Sequence, residues 1–219
     1  MPQLFADRRA AGRALATLIK HSVPIQADAL VLGLPRGGVP VADEVAAAIS
    51  AELDILVVRK LGSPGYEELA MGAIAGAGIR VLNDDVIAIR NISAAEIETV
   101  ARKEGAELER RQCAYRGDRP LPTLTGRQVF LVDDGLATGA TMRAAIAFAR
   151  AQRPAEIIVA VPVAAADTAR ELRQTVDRLI CVEEPAMFMA IGQFYSDFGQ
   201  TSDEEVIALL QRAGRRQAS

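Results

Sequence analysis

The sequence contains few of the residues from which metal centres and disulfide frameworks are built. Its 219 residues include two cysteines, one histidine and no tryptophan. Cys113 and Cys181 lie far apart without C-x-x-C spacing, and with His21 as the single histidine they cannot form a recognisable zinc site. We therefore expect reduced, structural thiols and a cytoplasmic setting.

The chain also lacks an excess of one charge and any long apolar run. Its 25 basic and 28 acidic residues give a net charge of −3, so no whole-protein field attracts nucleic acid or an anionic membrane. The N-terminus has no signal-peptide core, and no apolar run approaches the roughly 18 residues of a membrane span. With 50% hydrophobic residues the chain can fill a core, and we expect one domain over residues 1–219 without nucleic-acid or membrane partners.

Helical and strand patterns alternate along the chain. Predicted strands cover residues 29–33, 54–59, 129–132, 157–163 and 178–182. Predicted helices cover residues 7–20, 39–49, 93–111, 167–174 and 202–213, with one more from about residue 139. Capping boxes begin at Ser93 and Ser202, and residues 71–75 and 79–82 have the pattern of a hairpin. The alternation predicts an α/β fold with a doubly wound, mostly parallel sheet flanked by helices.

The most informative segment runs from Val129 to Thr141. Four apolar residues precede Asp133 and Asp134, which is typical of a buried strand that delivers two acids to the carboxyl edge of a sheet. A turn of small residues and threonines then opens a helix, whose N-terminal N–H groups can bind a phosphate. The candidate phosphate-binding residues are Gly135, Leu136, Ala137, Thr138, Gly139, Ala140 and Thr141.

The two carboxylates need a different partner. They would repel a phosphate dianion, whereas hydroxyl groups or a metal ion suit them, and a ribose 5-phosphate offers both kinds of group. In order, spacing and residue types the segment resembles the signature of the type I phosphoribosyltransferases, which bind 5-phosphoribosyl 1-pyrophosphate. The resemblance implies that Asp133 and Asp134 hold the ribose hydroxyls, directly or through water on Mg²⁺, the expected cofactor.

A second loop, Pro35, Arg36, Gly37 and Gly38, also follows a predicted strand and precedes a helix. Two glycines beside an arginine can present N–H groups and a cation to pyrophosphate, although a surface turn would also explain the glycines. The loop resembles the pyrophosphate loop of the same family. That resemblance implies a non-proline cis peptide, which we place between Arg36 and Gly37.

Arg59 and Lys60 stand at the end of the predicted strand 54–59 and are similar to the Arg-Lys pair that follows the second strand of adenine and orotate phosphoribosyltransferases. Next to two other phosphate-binding strand ends, they suit neutralisation of pyrophosphate. Residues 61–68 contain glycine and proline, and by resemblance they begin the flexible loop that closes and excludes water. Lys60, Glu67 and Glu68 are the candidate catalytic residues.

Aromatic residues concentrate between residues 183 and 198. By resemblance this segment, with the N-terminus, forms a hood over the nucleobase end of the site, from about residues 1–8 and 183–200. Phe188 and Tyr195 are the candidates for contact with a base, and packing of the hood onto the sheet is the alternative explanation for most of these rings.

The resemblance covers nearly the whole chain and is to a bacterial group of phosphoribosyltransferases of unassigned base specificity. It implies Mg²⁺-dependent transfer of a phosphoribosyl group to a nucleobase-like acceptor by a homodimer. One alternative is a non-catalytic protein that binds phosphoribosyl pyrophosphate or a nucleotide and regulates a partner. A sugar-phosphate hydrolase or phosphatase is the other alternative, but the sequence offers no clear pair of nucleophile and base.

Overall fold

A computed structural model describes residues 3–117 and 119–217, apart from the side chains of Glu68 and Ala77. Five parallel strands, in the order β2-β1-β6-β7-β8, form the central sheet: β1 (Leu30–Gly33), β2 (Glu52–Ile55), β6 (Gln128–Val132), β7 (Glu156–Val163) and β8 (Arg178–Glu183). Every residue of β1 and β6 is buried, as expected of a parallel sheet covered on both faces. The predicted doubly wound α/β fold is confirmed.

Helices cover the two faces of this sheet. One core joins Phe130 of β6 to α1 (Arg8–Ser22), α2 (Gly38–Ile49) and α7 (Asp203–Gln217). The other joins Leu131 to α5 (Ala140–Ala151) and α6 (Ala166–Arg173). Successive side chains of β6 therefore pack into the cores on opposite faces of the sheet. Within the described ranges, no helix is long and apolar enough to cross a membrane.

Helix starts follow the capping residues of the sequence. Asp7 accepts the N–H of Ala10 at 2.7 Å and caps α1. Ser93 begins a complete capping box at α4 (Ala94–Arg116), and Ser202 Oγ accepts an N–H of the first turn of α7 at 3.2 Å. The helix α3 (Asp84–Arg90) was not predicted from the sequence. It has seven residues, is capped by Asn83 and packs on the core through the partly buried Val86 and Ile87.

Residues 58–82 form a separate antiparallel sheet of β3 (Val58–Ser63), β4 (Tyr66–Ala75) and β5 (Ile79–Leu82). The prediction of one strand over residues 54–59 is therefore wrong. β2 ends at Ile55, and the buried Leu56 and Val57 carry the chain into the second sheet without a turn residue to mark the change. The predicted hairpin of residues 71–75 and 79–82 is confirmed, because β4 and β5 pair across the short 3₁₀ turn.

The expectation of a loop without regular structure over residues 61–68 is also wrong. β3 and β4 pair as an antiparallel hairpin with an irregularity at Gly62. Gly65 adopts φ +72° in the tight turn between the strands, a conformation that favours glycine. Leu61 and Met71 anchor the hairpin, because both are fully buried in the core that also contains Leu108 of α4.

The N-terminal segment meets the chain around residue 195, beside β7. Phe5 and Tyr195 pair through their backbones, and their ring centroids lie 5.5 Å apart. With Phe194 and Val163 they form a small cluster separate from the two main cores. The two segments expected to form the hood are thus in contact.

A buried carboxylate ties α7 to α2. Asp43 of α2 is 1% exposed. Its carboxylate pairs with Arg212 of α7, accepts a bond from Arg216 of α7 at 2.6 Å, and lies 3.9 Å from Arg9 of α1. Three cations from two helices surround this one acid, and the cluster fixes the C-terminal helix on the sheet.

Candidate functional site

Two of the predicted motifs meet at the carboxyl edge of the sheet, because β1 and β6 are neighbours. The Leu34 N–H donates to the carbonyl of Val132 at 2.9 Å, which joins the start of one loop to the end of the other strand. A Cβ on Gly37 would lie 2.0 Å from Asp134 Oδ2, and a Cβ on Gly38 would lie 2.8 Å from Asp133 Cα. The loop backbone therefore lies directly against the two acids, and only glycine permits this approach.

The cis peptide lies between Pro35 and Arg36, so the predicted position between Arg36 and Gly37 is wrong by one residue. Gly37 caps α2 with φ −61° and ψ −32°, a helical conformation. The N–H of Gly38 already bonds to the carbonyl of Leu34 at 3.0 Å. The unusual bond therefore precedes the turn that opens the helix.

Asp133 and Asp134 form a pair of acids, half-buried and buried respectively, with little compensating positive charge. The Asp134 carboxylate accepts a bond from Arg8 Nε at 2.8 Å, and Asp133 Oδ1 accepts the Asp134 N–H at 2.9 Å. Burial raises the pKa of Asp133 well above its usual 3.8, and the adjacent Asp134 charge raises it further. Burial also raises the pKa of Asp134, although Arg8 opposes that rise. A cation or a set of hydroxyl donors would stabilise the ionised pair.

Arg8 is the nearest cation to these acids, and sequence reasoning did not pair it with them. Its guanidinium donates to the carbonyl of Gly199 at 2.6 Å and lies 3.9 Å from the ring centroid of Phe198. These contacts fix the side chain between the N-terminal segment and the chain after β8. The sequence marked Arg8 only as part of the hood, since a pairing across 126 residues leaves no local pattern.

The candidate phosphate loop is held along the end of β7. The Leu136 N–H donates to the carbonyl of Val163 at 2.9 Å, and the Ala165 N–H returns to the carbonyl of Leu136 at 2.8 Å. Leu136 is buried and both of its backbone groups take part in these bonds, so this residue fixes the loop and presents no donor of its own to a phosphate. Gly139 adopts φ +69° and caps α5, which directs the first N–H groups of that helix towards the loop.

Arg143 is a second residue that sequence reasoning missed. It lies in the first turn of α5, donates to the carbonyl of Thr138 and bonds to Glu171 at 3.1 Å. The sequence contains one indication of this residue. Arg143 is a cation one turn after Gly139, at the start of a helix that follows the candidate phosphate loop, and helix starts of this kind bind anions.

The three candidate cations of the pyrophosphate end have different surroundings. Arg36 Nη1 lies 3.6 Å from Asp203 Oδ1 at the start of α7. Arg59 pairs with Glu104 of α4, with nitrogen–oxygen distances of 2.7 and 2.9 Å. Lys60 is exposed on β3 and lines a cavity of about 520 Å³ together with Thr141 and Arg143. The structure thus brings Lys60 to the phosphate loop and turns Arg59 towards α4.

The candidate acids of the hairpin lie on β4. Glu67 is exposed on β4 and lines a cavity of about 300 Å³ with Arg59 and Lys60. The side chain of Glu68 lies outside the described residues.

The two candidate base-binding rings differ in accessibility. Tyr195 is 2% exposed, and its hydroxyl donates to the Asp134 carbonyl at 2.6 Å. This ring packs the hood onto the sheet. Phe188 is half-buried, with its centroid 5.4 Å from that of Phe194. Of the two rings, Phe188 is the one with a surface that a ligand could reach.

A metal ion at this edge would depend on the substrate for most of its ligands. Among residues 3–117 and 119–217, no group of three or more His, Cys, Asp or Glu side chains could hold an ion. The adjacent Asp133 and Asp134 carboxylates nevertheless supply hard oxygen donors. Mg²⁺ is commonly held by one or two carboxylates, with waters and substrate phosphates completing its octahedron. The residues present fit that arrangement.

Comparison with known proteins gives consistent matches. Residues 5–198 match the family model of the phosphoribosyl transferase domain. The chain is 49% identical over 214 residues to candidate phosphoribosyl transferases from two strains of Mycobacterium tuberculosis. That alignment covers 97% of this chain and 48% of the relatives, so the chain spans about half of their length.

Among solved structures, the protein TT1426 of Thermus thermophilus is similar with a TM-score of 0.85 and 40% identity. The match covers 95% of this chain and 98% of that chain. The AQ2163 protein of Aquifex aeolicus is similar with a TM-score of 0.50 at 10% identity, and it covers 80% of this chain and 73% of its own. This second likeness concerns the fold alone.

Proposed function

The chain belongs to the phosphoribosyl transferase domain family, and we propose that it transfers the 5-phosphoribosyl group of phosphoribosyl pyrophosphate to a nitrogenous base. A base nitrogen bonds to C1 of the ribose, the bond from C1 to the pyrophosphate oxygen breaks, and pyrophosphate leaves. One observation carries the proposal: the backbone of Gly37 and Gly38 lies against Asp133 and Asp134, beside the N-terminus of α5. A ligand with a pyrophosphate, vicinal hydroxyls and a phosphate offers a partner for each of these three groups.

The acid pair and the phosphate loop would hold the sugar. Asp133 and Asp134 accept hydrogen bonds from the ribose hydroxyls, while the backbone N–H groups of residues 135–141 other than Leu136, with the Thr138 and Thr141 hydroxyls, hold the 5-phosphate. Arg143 adds positive charge beside that phosphate, because it lies in the first turn of α5 and contacts the loop carbonyl of Thr138.

The loop of residues 35–38 would bind the leaving pyrophosphate through the N–H groups of Arg36 and Gly37, since Pro35 has none and that of Gly38 bonds to Leu34, with Arg59 and Lys60 as further cations. Lys60 lines the cavity that reaches Thr141, which supports a place near the substrate. When Mg²⁺ is bound, it would neutralise pyrophosphate charge, with Asp133 and Asp134 as its protein ligands through water. The chain itself contributes mainly positioning and electrostatic stabilisation.

Closure would protect the reacting carbon from water. The β3–β4 hairpin carries Lys60, Glu67 and Glu68 and is the segment that we propose to close over the site, with one of these residues as acid or base. The hood of residues 1–8 and 183–200, with Phe188 at its surface, would cover the base. A homodimer and a cytoplasmic location stay predictions.

The proposal is tested by pyrophosphate release from phosphoribosyl pyrophosphate and MgCl₂ across a panel of free purine and pyrimidine bases. Release that depends on one base, with formation of the matching nucleotide, is the expected result. Base-independent release would identify a hydrolase. Binding of phosphoribosyl pyrophosphate by calorimetry without any release would identify a regulatory protein, and absence of binding would refute the proposed ligand.

A further inference from the structure

We propose that Arg36 acts as a positioning residue: its guanidinium, held by Asp203, which Tyr115 fixes in turn, orders the loop whose backbone binds the anion. The identity of the anion as pyrophosphate rests on the proposed function. The inference deepens that function, because it assigns the binding role to the loop N–H groups and a supporting role to the cation beside them.

The contacts form a chain from the loop to two helices. Arg36 lies between β1 and α2, and its Nη1 is 3.6 Å from Asp203 Oδ1. The Tyr115 hydroxyl, from the last turns of α4, donates to the same Asp203 oxygen at 2.6 Å. Tyr115 is 4% exposed and packs in the main core, so its hydroxyl is a fixed point. The loop is therefore tied to α7 and, through it, to α4.

Charge and hydrogen bonding keep Asp203 ionised and Tyr115 protonated. The hydrogen bond from Tyr115 lowers the pKa of Asp203, and the Arg36 charge contributes to the same effect. Burial, with the Asp203 bond, raises the pKa of Tyr115 to about 12. Asp203 is also the first residue of α7, where the helix dipole favours a carboxylate. The arrangement is thus stable over the neutral pH range.

Exposed ion pairs contribute little to stability, because the two side chains lose conformational entropy when the pair forms. Here the Asp203 side chain is 52% exposed and that of Arg36 is 34% exposed. Tyr115 orders Asp203 independently of Arg36, which lowers the entropy that the pair loses on forming. A modest but measurable effect on the loop is expected.

The two possible roles of Arg36 predict opposite results for Asp203→Asn. Asparagine keeps an oxygen for the Tyr115 hydroxyl but removes the charge that holds Arg36. If Arg36 is a direct ligand of the anion, loss of this competing carboxylate frees the guanidinium and tightens binding. If Arg36 fixes the loop, the same loss loosens the loop and weakens binding.

The first experiment titrates inorganic pyrophosphate with MgCl₂ into wild type and Asp203→Asn by calorimetry. We expect about threefold weaker binding in the variant, within the range of a single exposed ion pair. Unchanged or tighter binding would overturn the proposal. Glu204→Gln is the matched control, because it removes the same charge one residue along the same helix end, and it should leave the dissociation constant within error.

A charge exchange gives a second test. Arg36→Glu alone should weaken pyrophosphate binding at least tenfold, since the loop then carries an acid that also repels Asp203. Arg36→Glu with Asp203→Arg restores an opposite-charge pair, so amide exchange of the ligand-free loop, faster in Arg36→Glu alone, should return to the wild-type rate. Exchange that stays fast in the double variant, with unfolding at the wild-type temperature, would refute the positioning role.

Amide hydrogen exchange of the free protein separates this inference from the proposed function. The N–H groups of Gly38 and Val39 bond to the carbonyls of Leu34 and Arg36 at 3.0 and 3.2 Å, so their exchange reports loop order without any ligand. Faster exchange at these two amides in Asp203→Asn supports the positioning role, and equal exchange overturns it. If wild type binds neither pyrophosphate nor phosphoribosyl pyrophosphate, the proposed function fails, and this comparison still decides the role of Arg36.

Discussion

Two buried acidic sites in this protein differ in how their charge is balanced. Asp43 pairs with Arg212 and Arg216 and lies near Arg9, so cations outnumber the single acid. Asp133 and Asp134 share one close cation, Arg8, and burial raises the pKa of both.

The contrast distinguishes an acid whose charge is balanced within the fold from an acid pair that, in the proposed function, binds a ligand. The Asp43 cluster is complete within the chain and joins α2 to α7 and α1 through side chains that do not contact the acid pair. The pair at the end of β6 has one close cation, Arg8, for two acids, and the free energy of the ionised pair falls when a further cation or hydroxyl donors bind. Local charge balance, rather than burial alone, distinguishes the two sites.

The largest expected effect is on stability, from Asp43→Asn. The substitution removes the anion from a cluster of arginines, two of which bond to it directly, and we expect a loss of about 3 kcal/mol in the free energy of unfolding. Urea denaturation measures it. The matched control is Asp167→Asn, which breaks an exposed pair with Arg170 and should cost under about 0.5 kcal/mol. Equal small losses in both variants would remove the structural role assigned to Asp43.

The second effect is on binding, from Asp133→Asn combined with Asp134→Asn. Neutral amides lose the charge-assisted bonds to ribose hydroxyls and metal-bound water, so phosphoribosyl pyrophosphate in MgCl₂ should bind about a hundredfold more weakly. Calorimetric titration gives the constant, and circular dichroism checks that the fold is retained. Wild-type affinity in a folded variant would exclude these acids from the site.

A third effect concerns pH and Arg8→Gln. Without the guanidinium the pKa of Asp134 rises further. When the pH is lowered, the acid pair of the variant therefore takes up a proton at a higher pH than the pair of wild type. The acidic limb of phosphoribosyl pyrophosphate binding should therefore move to higher pH. Arg13→Gln, which alters an exposed arginine on the same helix, should leave the limb in place. An unmoved limb in Arg8→Gln would show that Arg8 does not control the charge of the pair.

The smallest effect is a gain of stability from Asp133→Asn. The folded-state pKa of Asp133 lies above the unfolded value of 3.8, so its ionisation destabilises the fold as pH rises through the folded value. At pH 7 the variant should therefore be about 1 kcal/mol more stable than wild type, and the gain should shrink as pH falls towards 3.8. Thermal unfolding against pH measures the difference. A loss of stability at pH 7 would contradict the account of an uncompensated acid.

The features predicted well from the sequence are those with a local cause. The buried strand before Asp133, the capping box at Ser93 and the small-residue turn before α5 each depend on neighbouring residues, and each lies where the sequence indicates. These segments also include the acids and the phosphate loop of the candidate site. Local chemistry thus predicted the strand β6 and the position of the candidate phosphate loop that follows it.

The errors arise where tertiary contacts decide. Apolar residues continue from β2 into β3. The residue types at Leu56 and Val57 therefore do not indicate that the chain passes from one sheet to the other there. Gly62 and Gly65 suggested a loop, although they serve a strand irregularity and a tight turn within a hairpin. The pairing of Arg8 with Asp134 spans 126 residues and depends on the finished fold.

The hydrogen bond from Tyr195 to the Asp134 carbonyl has an optical consequence. The chain has three tyrosines and no tryptophan, so its intrinsic ultraviolet emission comes from Tyr66, Tyr115 and Tyr195 alone. Two of these phenols touch the candidate site, Tyr195 at the acid pair and Tyr115 at the partner of Arg36. Ligand binding should therefore change the emission of the unlabelled protein, and Tyr66→Phe would remove the background of the exposed ring.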